Sequence, residues 1–132
     1  MKKALIITGI ILGLLLLIGI IGFSLISGSA KKALSSLVYE DIDMSRAADG
    51  VYEGAADAGI VSVKVSVTVQ SQAISRIDII EHNNGRGAAA ESITEDMAAA
   101  NTYDVDAVSG ATLSSETIKS AVSKALKAAC TQ

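Results

Sequence analysis

Cysteine, histidine, aromatic residues and, over most of the chain, basic residues are all in short supply. Of 132 residues one is cysteine and one is histidine. The cysteine, Cys130, stands near the C-terminus. No disulfide and no cysteine-based metal site can form within one chain, and a terminal thiol without a role is the expectation. The histidine, His82, has no acid or cysteine spaced to complete a metal site and falls in a stretch of loop composition, which makes it a solvated loop residue. Basic residues are scarce in a particular way. Lys2, Lys3, Lys31 and Lys32 flank one apolar run, so residues 33–132 hold seven basic residues against all 14 acidic ones, a net charge of −7. That balance excludes nucleic-acid binding, which relies on cations that replace phosphate counterions. Solubility and solvent exposure are what it supports.

Apolar residues are plentiful but uneven. Ala4–Ile26 contains no charged residue and is mostly isoleucine, leucine and glycine. As a helix it would extend roughly 35 Å, enough to cross a hydrocarbon core. The run is long for the core of a signal peptide, which favours an uncleaved anchor, yet Gly28-Ser29-Ala30 would serve as a cleavage site. Leu25-Ile26-Ser27-Gly28 resembles the approach to a lipoprotein cleavage site, but Ser29 follows, and serine has no thiol to acylate. The flanking lysines barely decide orientation; the signal-like start favours the N-terminus inside and the domain outside. The expected organisation is therefore an anchor or signal segment over residues 1–30, a tether over 31–44, and a domain over 45–132.

Within the domain, Asp49-Gly50-Val51-Tyr52-Glu53-Gly54 reads as a short strand bracketed by glycines, and residues 54–59 as a loop. Val61, Val63, Val65, Val67 and Val69 alternate with polar residues, the mark of a strand buried on one face. Ser71-Gln72 interrupts, and Ile74–Glu81 resumes as a second strand of a hairpin, without the glycine or asparagine that tight primed turns favour. Ile77 and Ile79 share one face while Ile74 and Ile80 fall on the other, so a bulge or two-sided burial is expected. His82–Gly87 is a loop, and Ala88–Ala100 a helix with Ala89, Ile93, Met97 and Ala100 on one stripe. Ile118, Ala121, Val122, Ala125, Leu126 and Ala129 follow the spacing of an amphipathic helix, with Ser114 as N-cap and Lys119, Lys124 and Lys127 toward its other end. The fold class is α+β: a small antiparallel sheet with packed helices, preceded by one N-terminal transmembrane helix.

Just before the last helix lies Asp106-Ala107-Val108-Ser109-Gly110-Ala111-Thr112-Leu113-Ser114-Ser115. Gly110 and Ala111 leave room for a ligand or a modifying enzyme to approach the backbone. Ser109, Thr112, Ser114 and Ser115 supply hydroxyls, and a helix N-terminus favours anions. The plainer reading is a serine–glycine loop that caps a helix.

The order of these features resembles one family. Asp49-Gly50-x-Tyr52-x-Gly54, a valine-rich hairpin, a strand ending in Glu81-His82, an alanine-rich helix and Asp106-x-x-Ser109-Gly110-Ala111-Thr112-x-Ser114-Ser115 before a final helix are similar to the FMN-binding domain family. That family includes small flavoprotein subunits of bacterial Na⁺-pumping quinone reductase and ion-translocating ferredoxin oxidoreductase complexes. The resemblance spans residues 45–130. It implies covalent FMN, attached by a phosphoester to Thr112, with Asp106, Ser109, Gly110 and Ala111 as the sequence recognised by a Mg²⁺-dependent flavin transferase. The transferase would take FMN from FAD and release AMP, and Ser114 and Ser115 would stand near the phosphate. Ser71-Gln72-Ala73 departs from the Asp-Gly-Lys often found in the family's hairpin turn. Aromatic side chains to stack on the flavin are few after the apolar run, namely Tyr39, Tyr52 and Tyr103, with Tyr52 or Tyr103 placed to touch the ring. The function so implied is a membrane-tethered extracytoplasmic electron carrier, not a complete enzyme, passing electrons between a membrane reductase or quinone and another acceptor in a bacterial membrane. A non-redox surface module and a reversible FMN-binding protein are the alternatives.

Overall fold

The computed structural model describes residues 1–85 and 87–132; the side chains at 2–5 and 22–27 fall outside the description. Two compact units result, Met1–Lys32 and Ala33–Gln132. The first is the body of helix α1, Lys2–Ser35, and its large side chains from Ile6 to Ile21 are exposed. Both ends of the apolar run Ala4–Ile26 lie outside the described side chains. Among the described residues no helix is long and apolar enough to cross a membrane.

The second unit is an α+β sandwich of one sheet and its helices. Strands β1 (Gly50–Asp57), β2 (Ser62–Gln70) and β3 (Ala73–Asn83) form an antiparallel sheet in the order β1-β2-β3. Helices α2 (Ile93–Ala100) and α3 (Thr112–Cys130) pack on it, α2 against β3 and α3 against β1 and β2. The valine alternation does what period-two patterning predicts: Val63, Val65, Val67 and Val69 are buried and meet Ile118, Ala121, Val122, Ala125 and Leu126 in one core. β1 runs on through residues 54–57, which the glycine and alanine content made a loop. Gly54 and Ala56 are small because α3 lies directly on them: a Cβ on Gly54 would stand 2.0 Å from the Ala121 carbonyl oxygen.

The hairpin turn shows how a tight turn forms without its preferred residues. Ser71 and Gln72 both have positive φ, 51° and 62°, as a primed two-residue turn demands. Neighbouring side chains hold them there. Asp49 Oδ1 accepts from the Ser71 N–H at 2.7 Å, Gln72 Nε2 donates to the Ser45 carbonyl at 2.7 Å, and Asn101 Nδ2 donates to the Gln72 carbonyl at 3.2 Å.

The bulge expected in β3 is present, and there are two. Val69 pairs with Ile74 and Thr68 with Arg76, leaving Ser75 as an extra residue; Val65 pairs with Ile79 and Lys64 with Glu81, leaving Ile80 extra. The first bulge turns Ile74 into the core beside Ile77 and Ile79. The second sends Ile80 outward and reverses the parity of the residues after it, so that His82, not Glu81, takes the inward position opposite Val63.

The alanine-rich segment begins as a 3-10 helix, Ala88–Ser92, before α2. This tighter start rotates the buried stripe to Ala90, Ile93 and Met97, while Ala89 and Ala100 face solvent. Asn101 ends α2 in the left-handed conformation.

Of the expected tether, the stretch from Val38 to Asp43 lies along α3. Ser120 Oγ donates to the Val38 carbonyl at 2.6 Å, Tyr103 Oη to the Glu40 carbonyl at 3.0 Å, and Cys130 Sγ to the Asp43 carbonyl at 3.3 Å. Hence the hydroxyl-bearing side of α3 is covered as well, and Thr117, Ser120 and Ser123 are fully buried. Asp43 ends this strap, so the Cys130 thiol, at the end of α3, has a structural bond.

Candidate functional site

α3 begins at Thr112, two residues before the serine expected as its N-cap. The N-cap position falls to Ala111, which has no side chain able to bond the first turn. Ser114 is instead the third residue of the helix and is buried. Its hydroxyl lies against Gly87, where a Cβ would come within 1.9 Å of Ser114 Oγ. The start is set by the preceding turn. Ala111 N–H donates to the Val108 carbonyl at 3.0 Å, and Ser115 N–H makes the first helical bond to the Ala111 carbonyl at 2.9 Å. Ser115 Oγ donates to the same carbonyl at 2.9 Å and accepts from the Val108 N–H at 3.0 Å. Ser115, buried completely, therefore binds the loop to the helix and has committed its hydroxyl to the fold.

The first-turn amides of Thr112, Leu113 and Ser114 have no carbonyl of their own helix to bond. Such groups at the end of a long helix carry a partial positive charge. Thr112 is exposed at this end, next to Gly110, whose φ of 81° suits glycine and whose missing side chain leaves open space. Facing them across a concavity of about 390 Å³ are Ile60 and Val61 from the β1–β2 loop and Asn84, Gly85 and Gly87 from the loop after β3. The cavity gathers Gly110, Ala111, Thr112 and Ser114 of the expected site. It leaves out Ser109, exposed on the loop, and Asp106, which borders another concavity with Asp96 and Asp104.

One turn along α3 from Thr112, Glu116 accepts from Tyr39 Oη at 2.6 Å. Tyr39 stacks on Tyr103, with ring centroids 6.3 Å apart, and Lys119 bridges Asp104 and Glu116 at 3.2 and 3.4 Å. Partial burial, then the hydrogen bond to Glu116, raises the Tyr39 phenol above its ordinary range; burial and the Asp104 charge raise Tyr103. Both phenols thus stay protonated and go on donating. Tyr52, the other aromatic considered for the ring, donates to the Ala48 carbonyl at 3.1 Å and packs on the core.

A larger concavity, about 480 Å³, lies beside the end of β1 and the start of β2. Its charged lining is internally occupied: Lys64 pairs with Glu53 at 2.8 Å and Lys124 donates to the Ala55 carbonyl at 3.1 Å. It has no helix terminus and no flexible small-residue loop, so the smaller cavity is the chemically apt one.

Asn84, Gly85 and Gly87 are the part of the site that sequence reasoning left as a plain loop. His82, just before them, is not solvated: its side chain is 2% exposed, and Nδ1 lies 2.9 Å from Glu91 Oε1. The available signal was the pair Gly85 and Gly87: Gly85 has a φ of 56°, and Gly87 lies against the Ser114 side chain.

This architecture, a bulged three-stranded hairpin sheet presenting two glycine-bearing loops at the amino end of a buried helix, defines a small cofactor-binding module. Residues 59–127, more than half of the chain, match the FMN-binding domain, and the chain belongs to that family. No curated protein matches it. FMN is accordingly the cofactor. The residues present fit it: the first-turn amides of α3 are donors of the kind a phosphate takes, Thr112 lines the cavity, and Gly85 and Gly87 line it without side chains, Gly87 close against Ser114.

Proposed function

We propose that this protein is a membrane-tethered electron carrier holding FMN by a phosphoester on Thr112. The observation that carries the proposal is the exposed Thr112 hydroxyl at the first residue of a helix that lacks a side-chain cap, on the rim of a cavity with glycine walls. A phosphate on this oxygen lies within reach of three unpaired amides and the positive end of the helix. In the attachment step, Thr112 Oγ bonds to the flavin-side phosphorus of FAD, the bridging P–O bond breaks, and AMP leaves as the threonine proton is lost. A flavin transferase performs this step, with Asp106, Ser109, Gly110 and Ala111 as its recognition sequence. The exposed Ser109–Gly110 turn suits entry into such an enzyme's cleft.

Bound FMN supplies reversible electron transfer. The protein's own groups position it: Thr112 fixes the phosphate, the glycine-bearing wall and Val61 flank the cavity, and Ser115 and Gly87 hold the rim. The charge-free run Ala4–Ile26, exposed where it is described, supports a single-pass anchor with the domain on the extracytoplasmic side of a bacterial membrane. The partner is then a membrane reductase or a quinone-linked protein, with a second protein as acceptor.

The test is mass spectrometry of the full chain co-expressed with a flavin transferase. A mass increase equal to FMN minus water, mapped to Thr112 and abolished in Thr112→Ala, is the expected result. Yellow colour released on denaturation, with no mass increase, would convert the reading to reversible FMN binding. Neither mass nor colour would leave a non-redox module.

A further inference from the structure

Among the described residues, no aromatic side chain lines the cavity at the amino end of α3. Tyr39 and Tyr103 stack on each other, and the hydroxyls of Tyr39 and Tyr52 are given to Glu116 and to the Ala48 carbonyl. The large side chains that do line the cavity are Ile60, Val61 and Leu113. They differ in what else they touch. Val61 is 6% exposed and belongs to the core, and Leu113 is half-buried and packs against it. Ile60 is 69% exposed.

We propose that Ile60 is the residue that contacts the flavin ring: its side chain, together with Leu113, forms an aliphatic seat on which the isoalloxazine of FMN lies. The inference rests on the FMN reading above and names the part of the cavity that the ring takes. The turn between β1 and β2 holds Ile60 in place for this. Ala58 N–H donates to the Val61 carbonyl at 2.8 Å and Gly59 N–H to Asp57 Oδ1 at 2.6 Å, while Gly59 takes a φ of 86°. Val61 continues the valine alternation into the core, which leaves Ile60 turned away from it. A β-branched side chain has little rotamer freedom of its own. The turn thus presents an apolar surface that is ordered before any ligand arrives.

A single exposed isoleucine is ordinary on a protein surface. This one lines the same cavity as Thr112, and the chemistry of FMN divides as the lining does. Its phosphate takes hydrogen-bond donors, which the first-turn amides of α3 supply. Its ring is planar and carries a dimethylbenzene portion, which gains by leaving water for a hydrocarbon surface. Ile60 and Leu113 offer that surface from two different elements, the β1–β2 turn and the first turn of α3.

The test is NMR of the full-length protein in detergent micelles, labelled at the isoleucine δ1 methyls, before and after FMN attachment by a flavin transferase with FAD. Ile60→Val identifies the Ile60 signal by its disappearance. Attachment is expected to move this signal further than any other isoleucine methyl of the domain and to give nuclear Overhauser contacts to the flavin ring protons. Ile60→Asn, at an exposed position, keeps the far-ultraviolet circular dichroism of the parent. In that variant, once shown by mass to carry FMN, the visible circular dichroism of the flavin weakens and iodide quenching of its fluorescence rises toward that of free FMN. Ile60→Leu restores both. An unmoved Ile60 methyl in protein carrying the flavin mass, or ring contacts to Tyr39 and Tyr103 in its place, overturns the inference and leaves attachment standing. Without the flavin mass the attachment reading fails, and free FMN is then titrated into the same sample. A shift of the Ile60 methyl supports the seat without an ester, and no shift overturns both.

Discussion

The two ends of α3 are built on opposite principles. From Ile118 to Ala129 the helix is enclosed on nearly every side. The valine face of the sheet covers one flank, and the 38–43 strap bonds the serines of the other. Its backbone is in direct contact with Gly54 of β1. At the amino end the enclosure stops. Ala111 offers no cap, Thr112 is exposed, and Gly110 borders open space. A helix end with unbonded amides is unfavourable unless something satisfies them. The closed end supplies the rigidity that lets the open end remain unsatisfied. On the proposed reading, that separation of tasks places the attachment residue on a well-packed element, as a site that must hold a cofactor in one geometry requires.

The comparison is broken most strongly at Gly54. Adding a side chain there forces α3 off the sheet, because the obstacle is helix backbone at 2.0 Å (Ala121 carbonyl oxygen) and 2.8 Å (Ala125 nitrogen). Gly54→Val is expected to cost about 3 kcal/mol or more, the upper range for overpacking. In thermal unfolding followed by circular dichroism, that is a fall in Tm of roughly 12 °C or more. An unchanged Tm would mean that the closed end does not anchor the helix. Flavin attachment should fall only with the folded fraction, since Gly54 contacts neither Thr112 nor the cavity wall.

A smaller effect is expected at the junction between the two ends. Ser115→Ala removes the hydroxyl that donates to the Ala111 carbonyl and accepts from the Val108 amide. The amide is left partly buried without its partner, a loss of about 1–3 kcal/mol in urea unfolding. Hydrogen exchange of the amides from Val108 to Ala111 should rise at the same time. A change within about 0.5 kcal/mol, with exchange unaltered, would show that the loop is held by something other than this clip.

How far this plan was legible in the sequence depends on the kind of interaction. The β2 alternation and the α3 periodicity were plain, because a repeated burial requirement writes itself into every second or every third and fourth residue. The small residues around Thr112 were also visible as a cluster. What could not be read were features fixed by distant contacts. The strap over α3 made Ser120 and Ser123 interior, although neither belongs to the apolar stripe that the spacing marks. Ser71 and Gln72 adopt positive φ because Asp49, Ser45 and Asn101 hold them, and nothing local announces it. The Ile80 bulge, one extra residue, exchanged Glu81 for His82 on the inward face. That single shift of parity converted an apparent loop histidine into the buried partner of Glu91.

The finest test separates stability from function at the open end. Ala111 occupies the N-cap with φ −132° and ψ 37° and contributes no side-chain bond. Ala111→Ser adds one hydroxyl, small enough for a position that is 7% exposed. Its oxygen can accept from the Leu113 or Ser114 amide, and N-cap serine in place of alanine is worth about 0.5–1 kcal/mol in most hosts. The variant should therefore unfold at higher urea concentration than the parent protein. If the orphan amides are kept open for the phosphate on Thr112, the same substitution should slow flavin attachment, because the added hydroxyl occupies a donor that the phosphate needs. Time courses of FMN incorporation with a flavin transferase and FAD, compared at equal folded fraction, measure this directly. A variant that is both more stable and as readily flavinylated as the parent would show that the missing cap has no part in the chemistry. Greater stability together with slower attachment would mean that position 111 acts in attachment, through the open amides or through recognition by the transferase.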